Sequence, residues 1–361
     1  MTPGEAAAWK AAEKLISGKK FEKKDFLALM GELPQETEQA LFRAARECSV
    51  GRFGRKIYLR GLIEISNICK NNCYYCGIRR GNREAERYRL TREEILACCE
   101  NGYRMGFRTF VLQGGEDPAQ DDAWVEETVA AIREKYSGCA VTLSLGEKSR
   151  DSYRRFREAG ADRYLLRHET ADPEHYRRLH PEEMSLENRL RCLRDLKELG
   201  YQTGTGMMVG SPYQTLDTLW EDMQFIAELR PEMIGIGPYL VHHGTPFADR
   251  ENGSMARTLR LLAIFRLLYP DVLLPATTAL ATIHPEGRTL GILAGANVVM
   301  PNLGPAGSRE KYELYDHKLC TGQEAAESKK ELEKMMGQIG YTLSESRGDF
   351  QEHSPRCRQV E

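Results

Sequence analysis

Three cysteines within eight residues are the part of the chain best suited to chemistry. Cys69, Cys73 and Cys76 lie in "EISNICKNNCYYCGIRR" (residues 64–80), separated by three residues and then by two. Cysteine thiolates bind zinc and iron–sulfur clusters, but closed structural zinc sites use four ligands, and no second C-x-x-C or H-x-x-x-H follows. Three thiolates occupy three corners of a four-iron cluster and leave the fourth iron to a small molecule with amine and carboxylate groups. The spacing therefore predicts one [4Fe–4S] cluster with an open site.

The composition excludes several classes of protein. The 51 Lys and Arg residues nearly balance 53 Asp and Glu, which gives a formal net charge of −2 and no reason to expect binding to nucleic acid or to an anionic membrane. No signal peptide opens the chain, and no apolar run approaches the roughly 18 residues of a membrane span. We expect a cytoplasmic protein with reduced cysteines, which favours a metal site over disulfides.

The elements that must position these cysteines alternate between strand and helix. Eight short segments are apolar on both faces, as buried parallel strands are, and helical patterns separate them. They cover residues 58–66, 108–113, 140–145, 163–166, 203–209, 233–237, 272–278 and 296–300. No strand leads into a G-x-G-x-x-G turn, which argues against an open dinucleotide-binding sheet. Eight strand–helix units predict an α/β fold, a (βα)₈ TIM-type barrel.

Three regions divide the chain around that barrel. Residues 1–50 show helical spacing and predict an N-terminal helical extension. The barrel is expected over residues 51–320. Residues 321–361 are expected to form a C-terminal helix and a loosely held polar tail.

In such a barrel, functional residues follow the carboxyl ends of the strands. After the second strand comes "QGGEDP". Gly114 and Gly115 would let the backbone approach a ligand closely, and Glu116 could accept a hydrogen bond from an ammonium group. A plain strand-to-helix turn is the alternative interpretation.

Charged residues follow the fourth strand, in "RYLLRHETAD". Arg167 and Glu169 are two residues apart and point the same way if the strand continues. Arg189, early in the next helix, could hold a carboxylate with both arms of its guanidinium. The alternatives are a salt bridge at the rim for the first pair and a solvated helix face for Arg189.

Hydroxyl groups at two other strands could bind a small polar substrate. Thr277 and Thr278 follow the seventh strand in "PATTA", and Thr142 lies in "VTLSLGE". The alternative is that these threonines are β-branched residues that simply suit a strand.

The cysteine loop resembles the signature of the radical S-adenosylmethionine (SAM) superfamily. Members place this loop after the first barrel strand and favour an aromatic residue before the last cysteine, where this chain has Tyr75. The resemblance implies that SAM binds the open iron and that one electron cleaves it to methionine and a 5′-deoxyadenosyl radical. It also implies SAM contacts from the glycine-rich segment and from the ring of Tyr75 against adenine. The implied contact residues are Tyr75, Gly114, Gly115, Glu116, Glu169 and Arg189.

A narrower resemblance covers roughly residues 50–320. The segments "VLQGGEDP", "LSLGE", "RYLLRHETADP", "GIGPYLVHHGTP" and "GANVVMPN" are together similar to the HydE family of [FeFe]-hydrogenase maturases. This resemblance implies a monomeric radical enzyme with a substrate chamber inside the barrel. The residues expected to line that chamber are Thr142, Arg167, Thr277, Thr278 and Tyr312.

The same resemblance implies a substrate and partners. The expected substrate is a cysteine-bound iron carbonyl–cyanide unit from the maturase HydG, and the product would pass towards the scaffold HydF. Reduced flavodoxin or ferredoxin is the expected electron donor. Thiazolidines also bind members of the family.

One departure and three rival functions stay open. Some HydE proteins carry a second cluster with cysteines spaced by seven and then two, but here only Cys320 is present, and Ser328 and Glu331 hold the other positions. We therefore predict a single cluster. Methylornithine synthase shares the "SNICKNNCYYCGIRR"-like opening; biotin synthase is more distant because this chain has "RHETAD" in place of an "NHNLD"-like segment. A non-catalytic iron–sulfur carrier is the rival from another class.

Overall fold

Parallel strands form a closed ring in the computed structural model, which describes residues 2–319 and 325–352. The strands described are β1 (Lys56–Leu59), β2 (Gly61–Ser66), β3 (Thr109–Gly114), β4 (Ala140–Ser144), β5 (Arg163–Leu165), β6 (Gln202–Thr205), β7 (Met208–Val209), β8 (Met233–Ile234), β9 (Gly237–Pro238), β10 (Val298–Val299) and β11 (Thr342–Ser344). A six-stranded parallel sheet runs in the order β2-β3-β4-β5-β6-β8. β1 precedes β2 directly and pairs in parallel with β10. Bridges from Met233 to Leu273 and from Pro275 to Val298 join β8 to β10. The predicted (βα)₈ barrel is confirmed.

Helices surround this ring. They are α1 (Pro3–Ile16), α2 (Lys23–Met30), α3 (Gln35–Phe53), α4 (Arg92–Arg104), α5 (Asp122–Lys135), α6 (Arg150–Glu158), α7 (Pro173–Leu179), α8 (Leu186–Glu198), α9 (Leu216–Leu229), α10 (Met255–Leu268), α11 (Thr278–Ile283), α12 (Gly287–Leu293), α13 (Ala306–Arg309) and α14 (Ala325–Gln338). The Thr91 hydroxyl accepts from the Glu94 N–H at the start of α4, as the capping box predicts. Among the described helices, none combines the length and the apolar character needed to cross a bilayer.

The seventh barrel position differs from the prediction. Residues 272–278 form only the two bridges named above, rather than a regular strand. Pro275 has no N–H to donate to a neighbouring strand, and Thr277 is already the N-cap of α11. The backbone still completes the ring, because the Ala276 N–H donates to the Val298 carbonyl at 2.9 Å.

The N-terminal helices pack on the outside of the barrel. Phe21 and Phe26 lie against the ring of Trp220 in α9, with centroid distances of 6.4 and 5.5 Å. Arg260 of α10 donates to Glu38 of α3 at 2.6 Å. The boundary predicted after residue 50 lies inside α3, so the helical extension runs on to Phe53.

The chain after α14 closes the amino-terminal end of the barrel. β11 pairs in parallel with β1. Asp349 accepts from the fully buried Arg163 at 2.6 Å, and the Phe350 N–H donates to the Gln202 side chain at 2.9 Å. The expectation of a loosely held tail is therefore wrong for residues 344–350, while residues 353–361 lie outside the described ranges.

Candidate active site

The cysteine loop follows β2 at the carboxyl end of the barrel. Cys69, Cys73 and Cys76 carry free thiols and line one cavity of about 340 Å³. Their sulfur atoms do not all lie within 4.8 Å of one another. Sulfur ligands of one tetrahedral zinc ion, each about 2.3 Å from the metal, would lie closer together than that. The three thiols therefore fit a larger group, such as a [4Fe–4S] cluster, better than a single ion.

The electrostatics of the loop support a metal centre. Burial raises the pKa of the Cys69 thiol. Burial and the neighbouring thiols raise the pKa of Cys73 well above its usual range and that of Cys76 to about 12. Three thiolates are thus unfavourable here without compensating positive charge. Iron bound to the sulfurs would supply that charge.

Arg87 holds the cysteine loop in its conformation. Its guanidinium donates to four backbone carbonyls, at 2.6 Å to Asn67, 2.8 Å to Ile78, 2.7 Å to Arg79 and 2.9 Å to Asn82. No nearby pattern in the sequence indicates this role. The loop is therefore preformed by a side chain that binds no cluster itself.

We expect Arg87→Met to impair cluster loading. Four carbonyls would lose a charged donor, and each such hydrogen bond contributes about 1.5–3 kcal/mol. The free energy of unfolding of the apoprotein should fall by at least about 3 kcal/mol, less than the sum over four bonds because water can hydrate the freed carbonyls, and the iron bound after reconstitution should fall below about half of the wild-type content. The control is Arg83→Met, because Arg83 is exposed in the same loop. Equal iron content in both variants would contradict the role of Arg87.

The glycine-rich segment after β3 packs directly on this loop. A Cβ at Gly115 would lie 2.3 Å from the Ile68 carbonyl oxygen and 2.8 Å from the Cys69 Cβ. The next N–H, that of Glu116, donates to the Cys69 sulfur at 3.4 Å. Gly114 also lines the cavity. A glycine is thus required at position 115 because the backbone there lies against the cysteine loop. The prediction was that it would lie against a ligand.

Glu116 is a buried carboxylate that already accepts hydrogen bonds. One oxygen accepts from the Glu147 N–H at 2.9 Å, and the other lies 3.2 Å from the Lys70 ammonium. Gly146, with φ +75°, allows this contact, because a Cβ there would lie 2.2 Å from the Glu116 Cγ. Glu116 therefore has the charge and the position to accept from an amine at the cavity wall.

Arg167 and Glu169 form an ion pair beyond the end of β5, which stops at Leu165, so the pairing does not come from a continued strand. The Arg167 Nη2 donates to the Glu169 carboxylate at 2.9 Å, and both residues line the cavity. Glu169 has φ +66°, which is uncommon for a residue with a side chain. Its N–H donates to the Gly206 carbonyl at 3.1 Å, which fixes this conformation.

Arg189 of α8 reaches the same cavity. It is 7% exposed, donates from Nε to Glu147 at 2.5 Å and donates from Nη1 to the Arg167 carbonyl at 2.7 Å. Its Nη2 makes no hydrogen bond to any residue in the described ranges. Glu147 is also bonded to the Asn188 side chain. We identified "SLGE" as a strand end but not Glu147 as the residue that orients Arg189.

Tyr75 is oriented by a histidine that the sequence did not indicate. Its hydroxyl lies 3.2 Å from Nε2 of His180, and the rings meet edge to face. The His180 Nδ1 donates to the Tyr176 carbonyl at 3.0 Å, which leaves Nε2 as the acceptor. Burial lowers the pKa of His180 to about 3, so this ring is neutral at pH 7.

The buried His180 predicts a pH dependence of apoprotein stability. The unfolded chain binds a proton at this histidine below about pH 6.5 and the folded chain only near pH 3, so stability falls as pH decreases through this window. From pH 7 to pH 5 the contribution is about 2 kcal/mol. We expect the free energy of unfolding in guanidinium chloride to show this loss, and His180→Gln to reduce it. An identical pH dependence in both proteins would contradict the assignment.

The rest of the cavity lies inside the barrel. Thr277, Thr278 and Tyr312 line it, together with apolar residues such as Leu62 and Met300. The Thr277 hydroxyl is buried and has no hydrogen-bond partner among the described residues. The Tyr312 hydroxyl accepts from the Gln113 side chain at 3.4 Å. The polar groups predicted for the seventh strand end and for Tyr312 thus meet the cysteines in one cavity.

Thr142 differs from the prediction. It is 2% exposed and does not line this cavity, although Ser144 does. The two side chains share a face of β4, but Thr142 lies two residues further from the strand's carboxyl end. Its depth in the barrel therefore excludes it from the lining, and we correct its placement in the chamber.

A segment near residue 315 crosses the carboxyl end of the barrel beside the cysteine loop. The Leu314 carbonyl accepts from the Gly77 N–H at 2.9 Å, and the Lys311 carbonyl accepts from Asn67 at 2.6 Å. Asp316 accepts from the His243 ring at 2.7 Å. This segment packs against the cysteine loop, in which Cys69, Cys73 and Cys76 stay half-buried.

Comparisons with known proteins agree with this geometry. Residues 63–226 match the family model of the radical SAM superfamily. The chain is 48% identical over 282 residues to the [FeFe] hydrogenase maturase subunit HydE of Thermotoga maritima, covering 78% of this chain and 80% of that protein. It is 31% identical to the 3-methylornithine synthase of Methanosarcina barkeri, covering 85% and 87%.

Solved structures show the same architecture. The crystal structure of methylornithine synthase (PylB) superposes with a TM-score of 0.81 at 28% identity, covering 92% of this chain and 97% of that one. A crystal structure of HydG gives 0.78 at 20% identity, covering 94% and 76%, which shows a common fold. The chain is thus a radical SAM enzyme that uses a [4Fe–4S] cluster and SAM, and it belongs to the HydE family.

Proposed function

We propose that this enzyme acts in assembly of the H-cluster of [FeFe]-hydrogenase, on a cysteine-bound iron carbonyl–cyanide precursor inside the barrel. The main support is one observation: the three cluster cysteines and the hydroxyls of Thr277 and Thr278 line a single cavity. A radical formed at the cysteine end would reach a substrate held at the threonine end without entering solvent. The 48% identity to a HydE maturase supports this assignment of the pathway.

Three residues would hold the cluster, and others would hold SAM. Cys69, Cys73 and Cys76 would bind three irons. When bound, the cluster and SAM supply one-electron cleavage to methionine and a 5′-deoxyadenosyl radical. Arg189, already oriented by Glu147, would bind the methionine carboxylate through its remaining Nη2.

The remaining contacts would orient the nucleoside. Glu116 would accept from the methionine amine together with the backbone of Gly114 and Gly115. Tyr75, oriented by His180, would present its ring to adenine. Glu169 would accept from the ribose hydroxyls.

The barrel would then direct the radical towards the substrate. Arg167 lines the same cavity as the cluster cysteines, and its guanidinium would face an anionic group of the substrate. Thr277 and Thr278 would donate hydroxyl hydrogen bonds, which suits Thr277, whose buried hydroxyl has no partner in the described part of the chain. The apolar walls keep out solvent and the dissolved oxygen and reductants that would otherwise consume a radical.

The proposed partners follow from the same assignment. HydG would supply the substrate, HydF would receive the product, and a reduced flavodoxin or ferredoxin would supply the electron to a monomeric enzyme in the cytoplasm. The test is in vitro maturation of a hydrogenase apoprotein with HydG and HydF. We expect hydrogen evolution to require this enzyme and SAM. Equal activity without this enzyme would refute the proposal.

A second candidate function is synthesis of 3-methylornithine from lysine. The TM-score of 0.81 over 92% of the chain favours it. The reconstituted enzyme with dithionite, SAM and lysine should form no methylornithine if the maturase assignment is right. Formation of methylornithine at a rate matching deoxyadenosine release would favour the second function.

A further inference from the structure

A second pocket adjoins the reaction chamber on the side of α14. Its volume is about 90 Å³, room for a carboxylate or a few water molecules. Five residues line both cavities and form the wall between them: Leu62, Glu64, Thr278, Met300 and Lys318. The charged and polar residues that line the side pocket only include Arg288 of α12, Asn302, Arg309 and Glu331. Arg309 and Glu331 already have interaction partners. The two cavities are therefore neighbours that share one wall.

The dividing wall carries a buried ion pair. The Lys318 ammonium donates to Glu64 at 2.5 Å and to the Tyr312 carbonyl at 2.8 Å. The Asn302 amide donates to the other Glu64 oxygen at 2.7 Å. The Glu64 side chain is 2% exposed, and burial raises the pKa of its carboxyl group. Glu64 is thus an acidic residue inside an apolar strand, held by a lysine that faces both cavities.

Arg288 adds a cation that has no protein partner among the described residues. Its guanidinium makes no hydrogen bond or ion pair to any residue of ranges 2–319 and 325–352, and burial lowers its pKa, with the ring of Tyr315 nearby. A guanidinium presents five donors in a planar fork that matches a carboxylate. The nitrogen atoms of Arg288 are not among the fully buried ones that lack a partner, so they are open to water, and an anion in the pocket can take the place of that water.

We propose that Arg288 and Lys318 form an anion subsite beside the reaction chamber, which binds the carboxylate of an amino-acid-derived substrate. The proposal rests on the proposed function. It states which end of the substrate extends from the reaction chamber into the side pocket. Lys318 exchanges its bond to Glu64 for a bond to the ligand, while Arg288 supplies the bidentate contact. The small volume of the pocket suits a carboxylate attached to a substrate that fills the chamber.

The test measures binding to the cluster-loaded enzyme with SAM, by equilibrium dialysis of radiolabelled thiazolidine-4-carboxylate and of its neutral carboxamide. We expect Arg288→Met to raise the dissociation constant of the carboxylate about tenfold or more, and that of the carboxamide less than about twofold. Arg288→Lys should give an intermediate value, since it keeps the charge but loses the fork. The control is Arg257→Met, an exposed residue on α10.

Glu64→Gln should change the dissociation constant of the carboxylate in the opposite direction to Arg288→Met. The substitution keeps an acceptor for Asn302 but removes the charge that holds Lys318, so the carboxylate should bind more tightly. Three results would overturn the proposal. Arg288→Met could weaken the binding of carboxylate and carboxamide equally, or Glu64→Gln could weaken the binding of the carboxylate. The third is that the unmodified enzyme does not bind the carboxylate. Because the readout is binding, failed hydrogenase maturation with this pattern intact would refute the proposed function and leave the subsite standing.

Discussion

Cys73→Ala should reduce deoxyadenosine formation by at least about a thousandfold, because loss of one ligand leaves a second iron without a protein thiolate and destabilises the cluster. Cys69→Ala and Cys76→Ala should behave alike. The measurement is deoxyadenosine released from SAM under anaerobic conditions with dithionite, together with iron content.

The matched control for this experiment is another buried cysteine. Cys139, fully buried at the start of β4, lies outside the cavity lining. Cys139→Ala removes one sulfur from the core and should keep deoxyadenosine formation within about twofold. Substantial activity in Cys73→Ala, or equal loss in Cys139→Ala, would mean that the three-cysteine loop is not the cluster site.

Arg189→Met should raise the KM for SAM about a hundredfold. The arginine is buried and held by Glu147 and the Arg167 carbonyl, so its free donor is preorganised for a carboxylate. Loss of a charge-assisted hydrogen bond costs about 1.5–3 kcal/mol, and the variant also leaves Glu147 without its partner. The measurement is deoxyadenosine formation as a function of SAM concentration.

Two further variants separate binding from folding. Arg194→Met, on the exposed face of the same helix, removes a surface pair with Glu228 and should leave KM unchanged. Glu147→Gln keeps the shape of the residue that orients Arg189 and should raise KM less than Arg189→Met does. A wild-type KM in Arg189→Met would show that another group binds the methionine carboxylate.

The sequence predicted the features that local spacing encodes. The cysteine loop needs only eight consecutive residues, and the barrel follows from repeated short apolar segments with helices between them. Arg167 and Glu169 are close in the sequence, and the structure joins them in the ion pair that was the alternative to a functional role. Most of the candidate residues that were predicted to follow strand ends therefore line one cavity in the structure.

Residues that depend on tertiary contacts were not predictable in this way. His180 is 105 positions from Tyr75, and Lys318 is 254 positions from Glu64. Arg87 donates to backbone carbonyls, which every residue has, so the sequence does not mark its acceptors. Pairing between such groups is fixed only when the strands and connecting loops are in place.

Two errors have geometric causes. Thr142 was expected to line the chamber from its hydroxyl and from the family resemblance, but its distance from the carboxyl end of β4 places it too deep in the barrel. The tail after residue 344 was expected to be loose because it is polar. Asp349 instead forms an ion pair with Arg163, which is buried. A buried guanidinium is costly without a carboxylate partner, but the apolar strand that carries Arg163 gave no sign of this need.

The measurement that tests the central claim most directly is electron paramagnetic resonance of the reduced enzyme with and without SAM. One iron without a protein thiolate predicts that SAM shifts the g values of the cluster signal, and that ¹⁷O in the methionine carboxylate couples to it. A spectrum that SAM leaves unchanged, or a fourth side chain bound to the cluster, would contradict the account.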